Sequence, residues 1–169
     1  MTVLITKRLM LSHPDSPDDV AAIVGWLNDP EVVRYSEQRH LKHNKEFQGI
    51  HIRMFDEPPN LYRAIYKDGR IIGTITARVD RYNDVADVGL MIGEKSEWGK
   101  GFGTEAWTSF CDHLLNNGVR KIEGGTMSIN RGMVSIFRKY DMIYEGRRHA
   151  HFLYGGETVD MVLWGKFCG

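Results

Sequence analysis

The chain has 169 residues, 42% hydrophobic and 26% charged, a balance that suits one globular domain spanning 1–169. Lys plus Arg and Asp plus Glu each number 22, so no net basic field exists to recruit nucleic acid or an anionic membrane, and any phosphate binding must be local. No stretch reaches ~18 apolar residues, and Met1 to Arg8 lacks the basic-then-apolar pattern of an export signal, which points to a cytoplasmic protein.

Val3 to Leu11 alternates loosely as a first strand. The Pro/Asp-rich stretch His13 to Asp19 opens a helix over Val20 to Leu27, stopped near Asn28-Asp29-Pro30. Lys45 to Phe55 reads as a second amphipathic helix, ended by Pro58-Pro59, and the two helices could form a flap facing a substrate. Leu61 to Tyr66, the turn Lys67-Asp68-Gly69-Arg70 and Ile71 to Val79 make a hairpin, followed by a turn at Tyr82-Asn83-Asp84 and a strand ending at Ile92. Thr104 to Leu115 places Trp107, Phe110, Cys111, Leu114 and Leu115 on one helical face, and Asn116-Asn117-Gly118 closes it before a strand from Val119 to Met127. A helix after Asn130 carries Met133, Val134, Ile136, Phe137 and Tyr140, and two strands, Met142 to Phe152 and Thr158 to Phe167, meet at Gly155-Gly156.

The run Trp98-Gly99-Lys100-Gly101-Phe102-Gly103-Thr104-Glu105-Ala106 carries the clearest chemistry. A glycine-rich turn entering a helix presents unpaired N–H groups at the positive end of the helix dipole, a ready site for phosphate. Gly101 and Gly103 let a ligand approach without meeting a Cβ, and Lys100 is a solvated charge first and a phosphate contact second. The same run fits the dinucleotide pattern Gly-x-Gly-x-x-Gly/Ala, with Glu123 as the ribose acid, but that fingerprint opens the first βαβ unit and here over half the chain precedes it. Cys111 and Cys168 make neither a metal spacing nor a disulfide framework, and His51, His113, His149 and His151 have no HExxH-like frame, so no metal is expected.

Trp98-x-x-Gly101-x-Gly103 before a helix resembles the acetyl-CoA loop of the GNAT superfamily of N-acetyltransferases, Gln/Arg-x-x-Gly-x-Gly/Ala, and departs from it at Trp98. The aromatic-Gly pair before the turn resembles the RimJ/RimL-like branch in particular. Asn130 to Met142 resembles the family's second cofactor motif, which starts with Asn, carries Tyr seven positions later and ends in Gly-Phe. The resemblance implies an α/β (α+β) GNAT fold: a mixed, largely antiparallel sheet of about seven strands, flanked by about four helices and splayed between strands 4 and 5. It implies acetyl-CoA as cosubstrate, an amine-bearing acceptor, and a monomer or homodimer.

On that resemblance, Trp98, Gly99, Lys100, Gly101, Phe102, Gly103 and Thr104 hold the pyrophosphate, while backbone groups of Leu90, Met91 and Ile92 pair with pantetheine as an added strand would. An N–H there could also stabilise the oxyanion formed during attack. Asp87 lies fourteen positions before Gly101, where many GNAT enzymes carry a strand Glu acting as general base; the competing reading is a polar strand end tied into a turn. Asn130 is expected to cap its helix and touch the cofactor. Phe137 stands where the family has a Tyr that protonates the departing thiolate, and Asp141-Met142 replaces Gly-Phe. The acid is then Tyr140, water, or nothing, with CoA leaving as thiolate. Tyr35, Glu37 and His40, with Arg39 and His43, fall in the segment that lines the acceptor pocket in the family. The expected activity is acetyl transfer by direct attack to a primary amine, that of a protein N-terminus, an amino sugar or another small amine; the alternative is a non-catalytic acyl-CoA sensor or partner-binding module that keeps the grip and lacks the chemistry.

Overall fold

The computed structural model describes residues 3–169; Met1 and Thr2 lie outside them. In chain order the elements are β1 (Leu4–Ile5), β2 (Met10–Ser12), α1 (Pro17–Leu27), α2 (Lys45–Phe55), β3 (Leu61–Lys67), β4 (Arg70–Asp80), β5 (Val85–Ile92), α3 (Phe102–Asn116), β6 (Lys121–Met127), α4 (Arg131–Lys139), β7 (Ile143–Tyr154) and β8 (Glu157–Phe167). Short 3-10 turns at Glu37–His40 and Lys95–Glu97 precede α2 and α3. The strands form one eight-stranded sheet, ordered β1-β2-β3-β4-β5-β6-β8-β7. Only β5 and β6 run parallel, as expected for strands joined by a helical crossover.

The sheet has eight strands where the sequence suggests about seven, because the first expected strand folds back on itself. Thr6 turns the chain: its N–H donates to the Leu9 carbonyl and its Oγ1 accepts from the Leu9 N–H, both at 2.9 Å, so Leu4 pairs with Leu11. The other strand and helix ends shift by a few residues, as capping dictates. Ser16 forms a capping box with Asp19 and sets Pro17 at the first helical position, starting α1 ahead of Val20. Asn44 caps α2 by accepting from the Phe47 N–H at 2.9 Å. At Lys67/Arg70 the two turn residues Asp68 and Gly69 both take positive φ (50° and 75°), the twist that a tight hairpin needs.

Alternation on β4 separates the two faces of the sheet. Ile75 and Ala77 are fully buried toward α3 and α4, whereas Thr74, Thr76 and Arg78 point to the side of α1 and α2. The main core lies under α3, where Trp107, Phe110 and Cys111 have no exposed surface and pack with Ala86, Val88, Ile122 and Phe137. Truncating an aromatic of this size to Ala costs about 3–5 kcal/mol. A smaller cluster of Ile23, Ile52 and Tyr62 seats α1 and α2 on the opposite face.

Candidate active site

β5 and β6 pair only at Val85/Lys121, Ala86/Ile122 and Asp87/Glu123. Beyond that point β5 stays on β4 up to Ile92, and β6 stays on β8 up to Met127. The facing edges of 88–92 and 124–127 are therefore left without a strand partner, and the space between them opens into a cleft of about 1770 Å³. Gly89 and Gly125 stand just past the last pair and put no side chain of their own at the apex. The strands part where the sequence reading puts its splay; the extra hairpin only shifts the strand numbers.

The glycine-rich run enters α3 at the rim of this cleft. Gly101 is the N-cap, with φ 83° and no side chain accepting from the first turn. The N-caps of α1, α2 and α4 are Ser16, Asn44 and Asn130, each accepting a backbone N–H. The first-turn amides of α3 alone among these four helices lack a side-chain acceptor, which fits an external anion. Gly99 also takes positive φ (75°), and a Cβ on Gly103 would come 3.2 Å from Ile136 Cδ1 and 3.4 Å from Leu90 Cδ2. These glycines are thus required by backbone conformation or close packing, and the residues present suit the diphosphate of acetyl-CoA.

Two anchors fix the loop. The Trp98 Nε1–H donates to the Ile92 carbonyl at 2.7 Å, which ties the turn to the end of β5 and occupies one of the strand groups proposed for pantetheine. Glu105 accepts from Thr6 Oγ1 at 2.6 Å, from the Arg8 N–H at 2.8 Å and from Arg8 Nε at 2.6 Å, while Arg8 Nη1 donates to the Lys100 carbonyl at 3.1 Å. Burial alone would raise the Glu105 carboxyl, but these donors outweigh it and hold the group below its usual range. Phe102 is buried beneath the Arg8 guanidinium, 4.3 Å from its ring centroid.

Of the residues singled out in the sequence, Leu90, Met91, Ile92, Trp98, Gly99, Gly101, Phe102, Gly103, Thr104, Asn130, Phe137, Tyr35 and Glu37 line the cleft together. Lys100, His40, Asp87 and Tyr140 do not. Lys100 is exposed and donates to Glu97 at 3.2 Å; His40 is exposed, 3.8 Å from Glu37. Asp87 opens into a neighbouring pocket of about 690 Å³ with Arg78 and Glu123. Desolvation raises its carboxyl, opposed by Arg78. Tyr140 is 5% exposed and its hydroxyl donates to Asp112 at 2.6 Å, which, after desolvation, raises its pKa. Its ring packs in the main core while its hydroxyl is held by the exposed Asp112 of α3, and it is not among the residues that line the cleft.

Asn130 does cap α4, accepting from the Met133 N–H at 3.2 Å, and its amide Nδ2 donates to Thr126 Oγ1 at 3.0 Å. Phe137 is 1% exposed and stacks edge-on against Trp107, centroids 5.3 Å apart. Residues that the sequence reading passed over also line the cleft, among them Thr76, Arg78, Gln48 and His51. The polar side of the β4 alternation, Thr74-x-Thr76-x-Arg78, was the available signal for the first two. Among the described residues no group of His, Cys, Asp and Glu is arranged to hold a metal, and no helix is long and apolar enough to cross a membrane.

A model of the acetyltransferase (GNAT) domain matches residues 8–143, and the chain belongs to this family. It is accordingly an N-acetyltransferase that uses acetyl-CoA, which leaves the sensor reading without support. No curated protein matches the chain. Among solved structures, the ribosomal L7/L12 α-N-protein acetyltransferase RimL in complex with coenzyme A is 14% identical, with 98% of each chain covered and a TM-score of 0.87. An acetyltransferase from Salmonella typhimurium that modifies the N-terminal serine of ribosomal protein L7/L12 is 14% identical, covering 98% of this chain and 99% of its own, TM-score 0.82. The microcin C7 self-immunity acetyltransferase MccE, in complex with acetyl-CoA and AMP, is 16% identical over 96% of this chain and 93% of its own, TM-score 0.81. At such identities the likeness is one of fold.

Proposed function

We propose that this chain, a single catalytic domain over 1–169, acetylates the α-amino group of a protein or peptide in the manner of the RimJ/RimL-like branch. The observation that carries the reading is the meeting, in one open cleft, of the uncapped α3 entry with the partnerless edges of β5 and β6. Amides from Gly99 to Thr104 would hold the diphosphate. The free edge of 88–92 would align pantetheine as an added strand does, with the Ile92 carbonyl already given to Trp98. Acetyl-CoA is consumed as a substrate: the amine nitrogen bonds to the acetyl carbon, the C–S bond breaks, CoA leaves as thiolate and the amine gives up a proton. Alignment of the two substrates supplies most of the rate.

A chain-like acceptor is supported by the cleft mouth, where Leu41 (60% exposed) and Phe47 (69% exposed) leave apolar surface for side chains beyond the first residue. The activities of RimL and of the Salmonella typhimurium acetyltransferase, both on ribosomal protein L7/L12, point the same way. The test is CoA-thiol release with peptides bearing a free N-terminal serine, against N-acetylated copies, an amino sugar and a polyamine. Turnover confined to free-N-terminal peptides supports the reading; turnover with the small amines and none with peptides overturns it.

A further inference from the structure

An acceptor amine must lose a proton, and most groups in the cleft that could take one are already engaged. Of the lining carboxylates, Glu31 is held by Lys95 Nζ at 2.9 Å, Glu37 by Arg39 Nη1 at 2.7 Å and Glu97 by Lys67 Nζ at 3.0 Å. His43 sets Nε2 3.3 Å from the Gln38 carbonyl oxygen, so this nitrogen donates and Nδ1 alone is left to accept. His51 is different: it lines the same cleft, and among the described residues no hydrogen bond or ion pair engages either ring nitrogen.

Its place in the fold is equally specific. His51 stands on α2 edge-on to Tyr62, ring centroids 6.3 Å apart, and beside Phe55 at 5.7 Å. Tyr62 pairs with Thr76 and Thr76 with Gly89, so one cross-strand ladder runs from beneath the imidazole to the apex of the parted strands. We infer that His51 receives the proton of the acceptor amine, making it a further catalytic residue of this transferase; the inference rests on the α-amine reading above.

The charged and titratable groups that face His51 are Tyr62 from β3, Arg78 from β4 and His43 from the segment before α2. Desolvation first, then the neighbouring Arg78 and His43, hold its imidazole below the ordinary 6.5, so at neutral pH it is free to accept. Tyr62, held up at about 12, stays protonated and does not compete. In the step, an N–H bond of the acceptor ammonium breaks, its electron pair stays on nitrogen, and a new N–H bond forms on the imidazole, which later returns the proton to solvent. An α-ammonium lies only about 1–2 units above histidine, a lysine ε-ammonium about 4, so this base suits chain termini better than lysine side chains.

The experiment is the pH profile of kcat/KM with an N-terminal seryl peptide for the parent, His51→Gln, Arg78→Met and Asp87→Asn, with acetyl-CoA affinity and melting temperature as controls. His51→Gln should lose about 100- to 10,000-fold in kcat/KM and its acidic limb, with acetyl-CoA affinity retained. Arg78→Met should move the parent limb to higher pH, since a positive neighbour is removed, and free imidazole should restore rate to His51→Ala. A limb that persists in His51→Gln, or vanishes only in Asp87→Asn, overturns the inference while leaving the acceptor class standing. No turnover with any peptide overturns both.

Discussion

Trp98 spans from the phosphate loop to the last residue of β5, its indole N–H resting on the Ile92 carbonyl at 2.7 Å. The link ties the loop proposed for the diphosphate to the strand proposed to align pantetheine, through an aromatic where the family pattern has Gln or Arg. Trp98→Phe keeps the ring and removes the donor. We expect a loss of about 1 kcal/mol in stability and a several-fold weaker acetyl-CoA affinity, read by thermal melting and calorimetric titration. Unchanged affinity would detach Trp98 from the grip.

Gly101 and Gly103 should fail differently. A side chain on Gly101 is forced to φ 83°, at roughly 1–2 kcal/mol of strain, and its Cβ would sit 3.5 Å from Arg8 Nη2. On Gly103 the obstacle is packing, since Ile136 lies 3.2 Å from the added carbon. Gly101→Val is therefore expected to abolish measurable acetyl-CoA binding in a protein that still melts cooperatively. Gly103→Val should lose more stability and lose binding alongside it. Calorimetry combined with melting curves separates the two.

Glu105 makes the amino-terminal hairpin pH-sensitive. Its folded carboxyl lies below the ordinary 4.5 and so binds protons less readily than in the unfolded chain. Its contribution is complete above that value and disappears as pH falls through the lowered one. The Arg8 side chain is 41% exposed, so solvent screening limits the effect to about 1 kcal/mol. Melting temperatures of the parent and Glu105→Gln should differ at pH 7 and converge as the solution is acidified past the lowered value. A gap that persists in acid would place the effect elsewhere.

Phe137 and Tyr140 test whether the protein supplies an acid at all. Phe137→Tyr should lower stability without raising kcat, because Phe137 Cζ lies 3.0 Å from where a Gly124 Cβ would be and faces packed core. Tyr140→Phe should cost about 0.5–1.5 kcal/mol through the lost hydrogen bond to the exposed Asp112 and leave kcat at the parent value. A fall in kcat for Tyr140→Phe at full cosubstrate saturation would contradict the buried geometry.

Much of the scaffold could be read from the chain because its signals are local. Lys45 to Phe55 carries its own cap and stop, and the two hairpin turns declare themselves through Asp68-Gly69 and Gly155-Gly156. The α3 entry was equally legible, since three glycines within five residues have few other uses. The first strand was misread because its reversal depends on Thr6 bonding to Leu9 and to Glu105, 99 residues away. The surroundings of Tyr140 and His51 were out of reach for a related reason. Helical spacing alone does not settle that the Tyr140 hydroxyl meets Asp112, and a lone histidine gains defined neighbours only once β3 and β4 bring Tyr62 and Arg78 beside it.

The bare amino end of α3 has a thermodynamic echo. A helix whose opening amides await a guest is finished only when the guest arrives, so occupancy and folding draw on the same free energy. Saturation at a hundredfold excess over Kd would add about 2.7 kcal/mol to the resistance against unfolding. The melting point of this protein should accordingly climb with the logarithm of coenzyme concentration, and Gly101→Val should flatten that climb.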